Sequence, residues 1–389
     1  MNELIEQISQ TIRDQYVVTE HIDETIGELL EAAPSYREIR DPFDLATTLT
    51  KLLRQASADM HFAVIYQPNG APATGAIPFD FAALAPRHNN FFYNASRLAG
   101  NVGYLELRLF PDPARAARTV IGAMAFLAGT DALIFDLRQN RGGRPEMVQL
   151  LLSYLLPGPT HINSFQNRGD ATLRQFWTLP YVPGEIRPDT PVYVLTSSQT
   201  GSAAEEFAYD LQQLGRATLV GETTIGMAHP VQTFPLRDGF SINVPIGRPI
   251  NPISGTDWEG AGVVPDVAVP ADKALVTAHE LALAGLLESC RDLELADFYR
   301  WELESVRADQ GRWADLNLDL FAGNYEGREV RLEGGRLHFY SPHFSGALKA
   351  VGPDTFALSD EIRLTFNAAG LTLNWRDLPR QQQLARTGP

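Results

Sequence analysis

Ser202 is the residue whose type and position most clearly suggest chemistry. It lies between an apolar run at 191–195, which predicts a buried strand, and residues 203–214, which predict an amphipathic helix. A hydroxyl at such a turn stands at the positive end of a helix beside free backbone N–H groups, as an acyl-transfer nucleophile requires. Ser202 and Glu205 also have the spacing of a capping box, and capping alone is the commoner role of a serine there.

A serine nucleophile needs a general base, and two histidines are candidates. His61 lies two residues after Asp59 and just before an apolar run at 62–66 that predicts a strand. Imidazole titrates closest to neutral pH, and Asp59 shares a strand face with His61 and could hydrogen-bond to it. His229 is the rival base, and its alternative is a loop histidine at the pocket rim with no chemical role. For an arbitrary histidine a structural role is the commoner one.

Three further residues could complete such a site. Gly142 and Gly143 follow a predicted strand at 132–136, and their backbone N–H groups could bind an oxyanion opposite Ser202. The alternative for this pair is an ordinary turn before the next helix. Glu259, between Trp258 and a glycine, could orient a base, although an acid in a loop is the commoner reading.

Positioning these residues requires a scaffold, and the pattern after residue 101 predicts one of the α/β (α+β) class. Strands are predicted at 102–109, 132–136, 192–196 and 218–221, and helices at 113–127, 145–155 and 203–214. We predict a helical domain at residues 1–85, with a connecting segment at about 67–90. The α/β core is predicted at 86–275, and a helical linker at 276–315. Residues 316–389 predict a small antiparallel β domain, with hairpins at 328–340 and 362–375.

Composition limits the classes of partner. The 389 residues include 47 acidic and 32 basic ones, a net charge of −15 without a basic cluster, so we expect no nucleic acid and no anionic membrane as partners. The start lacks the basic and apolar regions of a signal peptide, and no run is long enough to span a membrane, so we expect a cytoplasmic protein.

Cys290, the single cysteine, excludes an internal disulfide and is predicted to be a core thiol in a helix. We expect no cofactor and no metal ion.

Five short motifs together resemble those of one peptidase family. They are Asp-x-His at 59–61, Asp-Leu-Arg-x-Asn-x-Gly-Gly at 136–143, Thr-Ser-x-x-Thr-x-Ser-Ala-Ala-Glu-Glu-Phe at 196–207, Gly-Glu-x-Thr-x-Gly at 221–226 and Glu-Gly-x-Gly-Val-x-Pro-Asp at 259–266. In this order and spacing they resemble the serine peptidases that include tricorn core protease, the C-terminal processing proteases and the repeats of interphotoreceptor retinoid-binding protein.

The resemblance implies a crotonase-like α/β core and a serine peptidase acting on a peptide or protein. It implies Ser202 as the nucleophile, and an oxyanion hole formed by the N–H of Ala203 with that of Gly142 or Gly143. It implies no cofactor. Large assemblies occur in related families, so homo-oligomers are one expectation. The C-terminal segment resembles accessory domains that follow some peptidases and β-lactamase-like proteins.

The chain departs from the processing proteases at the position of their lysine base. Met227 lies 25 residues after Ser202, where that lysine would be, and a thioether cannot accept a proton. The resemblance therefore favours the histidine-using branch, in which His61 aligns with the base and Glu259 with the acid. In the tricorn branch a serine precedes the histidine, whereas here the residue is Met60, so Asp59, Ser57 or a water would have to link Glu259 to His61.

Two other features bear on function. Only 34 residues separate Tyr66 from Asn101, too few for the peptide-binding PDZ domain that many processing proteases carry at this point. Two alternative functions use the same fold: a non-catalytic carrier of apolar ligands, as in the retinoid-binding branch, and a non-proteolytic acyl hydrolase or transferase. The joint presence of Ser202, His61 and Glu259 favours the peptidase.

Overall fold

The computed structural model describes residues 2–68, 84–376 and 381–388. The chain divides into two compact units, Met1–Leu98 with Gly103–Ala278, and Ala99–Val102 with His279–Pro389. Helices and strands both contribute, which confirms the predicted α/β class. None of the described helices is long and apolar enough to cross a membrane. Most of the predicted connection at 67–90 lies outside the described residues.

Three helices open the first unit, as the sequence predicts: α1 (Asn2–Gln15), α2 (Ile22–Tyr36) and α3 (Pro42–Ser57). Helix α3 begins where the Asp41 side chain accepts hydrogen bonds from the N–H groups of Phe43 and Asp44. It ends at Ala58, whose φ of 54° reverses the chain. That reversal leads directly into Asp59 and His61.

A three-stranded antiparallel sheet packs on these helices. It comprises β1 (Ala63–Tyr66), β9 (Val231–Pro235) and β10 (Phe240–Pro245), in the order β1-β10-β9. Apolar side chains of the sheet and of the helices share one core, in which Ile8, Leu49 and Ile242 are fully buried. The sheet therefore holds the chain after His61 and the chain after His229 on either side of β10.

A six-stranded sheet forms the centre of the first unit. Its strands are β2 (Phe92–Leu98), β3 (Val102–Leu107), β4 (Ala132–Asp136), β7 (Val192–Thr196), β8 (Thr218–Gly221) and β12 (Val267–Ala268), in the order β12-β8-β7-β4-β3-β2. Strands β4, β7, β8 and β12 pair in parallel, so their carboxyl ends meet at one edge. Chemistry-bearing loops are expected at that edge of a parallel sheet.

Helices flank this sheet: α4 (Pro113–Phe126), α5 (Pro145–Leu155) and α6 (Ala203–Gln213). Three of the parallel strands, β4, β7 and β8, are short apolar runs because both faces of a parallel sheet are covered. Their side chains join those of the three helices in one core. A small antiparallel sheet completes the unit, with β5 (His161–Asn167), β6 (Arg174–Trp177) and β11 (Gly247–Ile250).

The second unit holds most of α7 (Ala271–Ser289), then α8 (Leu293–Asp309) and an antiparallel sheet of nine strands in the described residues. The strands are β13 (Gly323–Tyr325), β14 (Arg328–Glu333), β15 (Arg336–Tyr340), β16 (Ser345–Ala347), β17 (Lys349–Ala350), β18 (Thr355–Ala357), β19 (Ile362–Asn367), β20 (Gly370–Trp375) and β21 (Gln381–Gly388). Both predicted hairpins are confirmed, as β14–β15 and β19–β20.

The prediction for Cys290 was wrong. The residue lies in the break between α7 and α8, because the Asp292 side chain accepts a hydrogen bond from the Leu295 N–H and starts a new helix there. Cys290 is partly exposed rather than a core thiol.

Candidate active site

Ser202 occupies a strained turn between β7 and α6. Its φ is 54° and its ψ is −125°, a conformation that residues other than glycine rarely adopt. A backbone hydrogen bond fixes this turn, because the N–H of Gly201 donates to the carbonyl of Asn140 at 3.0 Å. A serine held in this conformation at a strand-to-helix turn is the arrangement that exposes a nucleophilic hydroxyl.

Glu205 ties this turn to the loop that follows β8. Its carboxylate is fully buried and accepts four hydrogen bonds. One oxygen accepts from the N–H groups of Ser202 at 2.7 Å and Met227 at 2.9 Å, and the other from the Thr224 hydroxyl at 2.5 Å and the Gly226 N–H at 2.6 Å. Burial raises the pKa of Glu205, although these four donors oppose the shift. The sequence indicated only its capping role.

Gly142 lies against Ser202 and the Ala203 N–H, and Gly143, the next residue, lies against the backbone of Phe110. A Cβ on Gly142 would come within 2.6 Å of the Ser202 Cβ, and one on Gly143 within 2.0 Å of the Phe110 carbonyl oxygen, so only glycine fits at either position. The N–H of Gly142 donates to the side chain of Asn140 at 2.9 Å. No described group accepts the N–H of Gly143 or of Ala203.

Like Glu205, Asn140 supports the site but was not identified as a site residue from the sequence. It is fully buried, and its side chain bonds the Leu107 carbonyl as well as the Gly142 N–H. It thereby joins the glycine loop to the turn of Ser202. Its place inside the motif at 136–143 was the only sign of this role.

Asp59, His61, His229 and Glu259 converge on one another. The Asp59 carboxylate lies 3.2 Å from Nδ1 of His61 through one oxygen and 2.7 Å from Nδ1 of His229 through the other. Oε2 of Glu259 is 3.7 Å from Nδ1 of each histidine, and it accepts from the N–H groups of Ala228 at 2.6 Å and His229 at 3.1 Å. All four side chains are at least 86% buried, Glu259 being the most exposed at 14%.

Burial, hydrogen bonds and charges within this group shift the pKa values of Asp59, His229 and Glu259. Burial opposes ionisation of Asp59, but hydrogen bonds from His229 and His61 outweigh it and hold the pKa of Asp59 far below its usual range. Burial likewise lowers the pKa of His229, but the hydrogen bond to Asp59 and the charges of Glu259 and Asp59 give a net increase. Burial raises the pKa of Glu259. Buried polar atoms without a partner include Nε2 of His61 and Oε1 of Glu259.

The sequence placed His61 and Glu259 at the site with Asp59 and His229 as accessories, and all four lie together. Met60 stands where the tricorn branch has a serine, but its side chain is 44% exposed. Asp59 is the residue that lies beside the imidazole of His61. Ser57 supports Asp59: its hydroxyl accepts a hydrogen bond from the Asp59 N–H at 3.1 Å. Met227 contributes its backbone: its N–H donates to Glu205 and its carbonyl accepts from Nε1 of Trp258 at 3.3 Å.

Comparisons with known proteins agree with this architecture. Residues 101–269 match the model of peptidase family S41. The chain is 35% identical over 188 residues to the carboxyl-terminal-processing protease of Synechocystis sp., covering 48% of this chain and 42% of that protein. It is 31% identical over 173 residues to the corresponding protease of Picosynechococcus sp., covering 44% and 40%. The matches therefore span less than half the length of these relatives.

A solved structure from Parabacteroides merdae has the same fold. It is 18% identical, with a TM-score of 0.55 over 75% of this chain and 99% of that one. The family match begins just before β3 and ends at β12, so it contains the Ser202 turn, both glycines and Glu259. Through these residues, the segment 101–269 is similar to peptidase family S41 and to proteases named as carboxyl-terminal-processing proteases.

Proposed function

We propose that this protein hydrolyses peptide bonds through an acyl-enzyme formed on Ser202. The observation that carries the proposal is the strained Ser202 turn, which packs against Gly142 and precedes the free N–H of Ala203. A capping serine needs no such strain. Relatives named as carboxyl-terminal-processing proteases support a protein substrate.

His61 is the general base in this proposal. Nδ1 of His61 faces Asp59, so a proton on Nδ1 leaves the lone pair on Nε2, the atom that is buried without a partner. Nε2 accepts the Ser202 hydroxyl proton as Oγ attacks the peptide carbonyl, then returns it to the leaving amine. Asp59 orients the ring and stabilises the imidazolium, as the acid of a Ser-His-Asp triad does. Glu259 adds a second carboxylate at 3.7 Å.

The oxyanion is held by the N–H groups of Ala203 and Gly143. Gly142 is the poorer donor because its N–H is already bonded to Asn140. Each such donor contributes about 3 kcal/mol to transition-state stabilisation. Water then attacks the acyl-enzyme, with His61 again accepting the proton.

A peptide library assay tests the proposal. Wild type should cleave members of the library, and Ser202→Ala should not, with circular dichroism confirming that the variant folds. His61→Ala should abolish turnover. Loss of turnover in His229→Ala alone would instead identify His229 as the base. Absence of cleavage together with micromolar binding of a fatty acid or retinoid would overturn the proposal in favour of a carrier.

A further inference from the structure

The buried group Asp59, His61, His229 and Glu259 has the composition of a metal site as well as that of a proton relay. Each residue offers one ligand atom, and these four atoms lie within 4.8 Å of one another. Two are imidazole Nδ1 atoms and two are carboxylate oxygens. They come from three separate parts of the chain, at 59–61, 229 and 259, and meet without an intervening side chain.

The distances fit a small tetrahedral cation. Zinc ligands at about 2.0–2.2 Å from the metal lie about 3.3–3.5 Å from one another. The contacts here are 2.7 Å and 3.2 Å from Asp59 to the two Nδ1 atoms, and 3.7 Å from Glu259 to each of them. The two Asp59 contacts use its two oxygens separately, and the four ligand atoms lie within 4.8 Å of one another, so an ion would have to draw the widest pair together by up to about 1.5 Å.

The charge of the group also favours a divalent cation. Two buried carboxylates carry two negative charges when both imidazoles are neutral. Within residues 2–68, 84–376 and 381–388, no lysine or arginine forms an ion pair with either carboxylate. Oε1 of Glu259 is buried and has no hydrogen-bond partner. Hydrogen bonds from the two imidazoles and from two backbone N–H groups offset part of the cost of burying these charges, and a bound dication would offset more of it.

The donor set selects among cations. Imidazole nitrogen suits zinc and its transition-metal neighbours, whereas calcium and magnesium prefer sites made of oxygen alone. We propose that Asp59, His61, His229 and Glu259 bind Zn²⁺, and that bound Zn²⁺ switches off the proposed peptidase. The binding claim stands on the geometry alone, whereas the inhibition claim rests on the proposed function.

Inhibition follows from the tautomer of His61. Without metal, a proton on Nδ1 is donated to Asp59 and Nε2 keeps its lone pair. Coordination uses the Nδ1 lone pair, so the proton of the neutral ring moves to Nε2. A protonated Nε2 cannot accept the Ser202 proton. Metal binding and proton transfer are therefore mutually exclusive uses of the same ring.

Titration of tag-free, metal-stripped protein with Co²⁺ and then Zn²⁺ tests the site. We expect one Co²⁺ per chain with the intense visible absorption of tetrahedral coordination, displaced by Zn²⁺. Ser202→Ala should bind as wild type does, whereas His229→Gln should raise Kd at least about 100-fold, because it removes a direct ligand. His21→Gln, at an exposed histidine outside the group, is the matched control.

Two results would overturn the site: no stoichiometric binding to wild type, or equal affinities of His229→Gln and His21→Gln. If His229→Gln fails to fold by circular dichroism, Glu259→Gln takes its place with the same expected loss. Inhibition is measured separately, as a fall in kcat/KM that follows Zn²⁺ occupancy and is reversed by EDTA. Zn²⁺ bound at the site with unchanged turnover would refute the inhibition claim. If the protein has no peptidase activity, the Co²⁺ titration still tests the binding claim.

Discussion

Glu205 and Glu206 are neighbouring buried glutamates for which we predict opposite effects of the same substitution. Glu205 accepts four hydrogen bonds, three of them from backbone N–H groups that can only donate, so it must be an ionised carboxylate. In Glu205→Gln the amide NH₂ faces at least one of those N–H groups in either orientation. One or two hydrogen bonds to a charged group are lost, depending on which oxygen the NH₂ replaces, at about 1.5–3 kcal/mol each, so the free energy of unfolding should fall by about 1.5–6 kcal/mol.

Glu206 provides the control. It is also buried, but its only hydrogen bond in the described structure is with the Asn163 side chain at 3.3 Å, and burial raises the pKa of Glu206 to about 8. The residue is therefore a neutral acid at pH 7, and glutamine replaces it with the same shape. Glu206→Gln should raise the free energy of unfolding at pH 7 by up to about 3 kcal/mol, because the folded state no longer has to protonate a carboxyl group that is ionised in the unfolded chain.

Urea unfolding at pH 7 and kcat/KM on a peptide substrate measure both effects. Because Glu205 positions Ser202 and Met227, its glutamine variant should lose at least about 100-fold in kcat/KM, as expected for a displaced catalytic group. The Glu206 variant should keep near wild-type turnover. Equal losses in the two variants would show that the Glu205 carboxylate is not the anchor of the turn.

Three further predictions concern the same site and helix. Gly142→Ala should abolish turnover, because its Cβ would lie 2.6 Å from the Ser202 Cβ, and activity near that of wild type would contradict this packing. Asp59→Asn should lower kcat by between about 10² and 10⁴-fold, while an unchanged kcat would exclude Asp59 as the partner of the base. Burial raises the pKa values of Glu206 and Asp210, from 4.5 to about 8 for Glu206. The folded state then holds more protons than the unfolded chain, so stability should fall between about pH 4.5 and 8, and Glu206→Gln should reduce that slope in urea midpoints measured at pH 5, 7 and 9.

The central strands were predictable because their sequence constraint is simple. Residues 132–136, 192–196 and 218–221 are buried on both faces, so they are short apolar runs between turns, and the structure has the same bounds. Strand β2 was missed because most of its side chains are exposed or half-buried and give no apolar alternation. The helical linker predicted over 276–315 contains parts of two helices, the end of α7 and all of α8, because Asp292 caps the second.

Local motifs also indicated the residues of the site, but not how they are joined. Ser202, the paired glycines and Asp59 with His61 each belong to a short pattern. The bridge from Asp59 to His229 spans 170 residues of sequence, so no local pattern could place it. Glu205 was seen only as a cap, since three of its partners lie in a loop about 20 residues further on.

The account depends above all on Ser202 acting as a nucleophile activated through His61. Mass mapping of the adduct formed with a fluorophosphonate probe tests this most directly. We predict one adduct per chain, located on Ser202, absent in Ser202→Ala, and formed at least about 100-fold more slowly in His61→Ala. Equal labelling of wild type and Ser202→Ala, or an unchanged rate in His61→Ala, would contradict it.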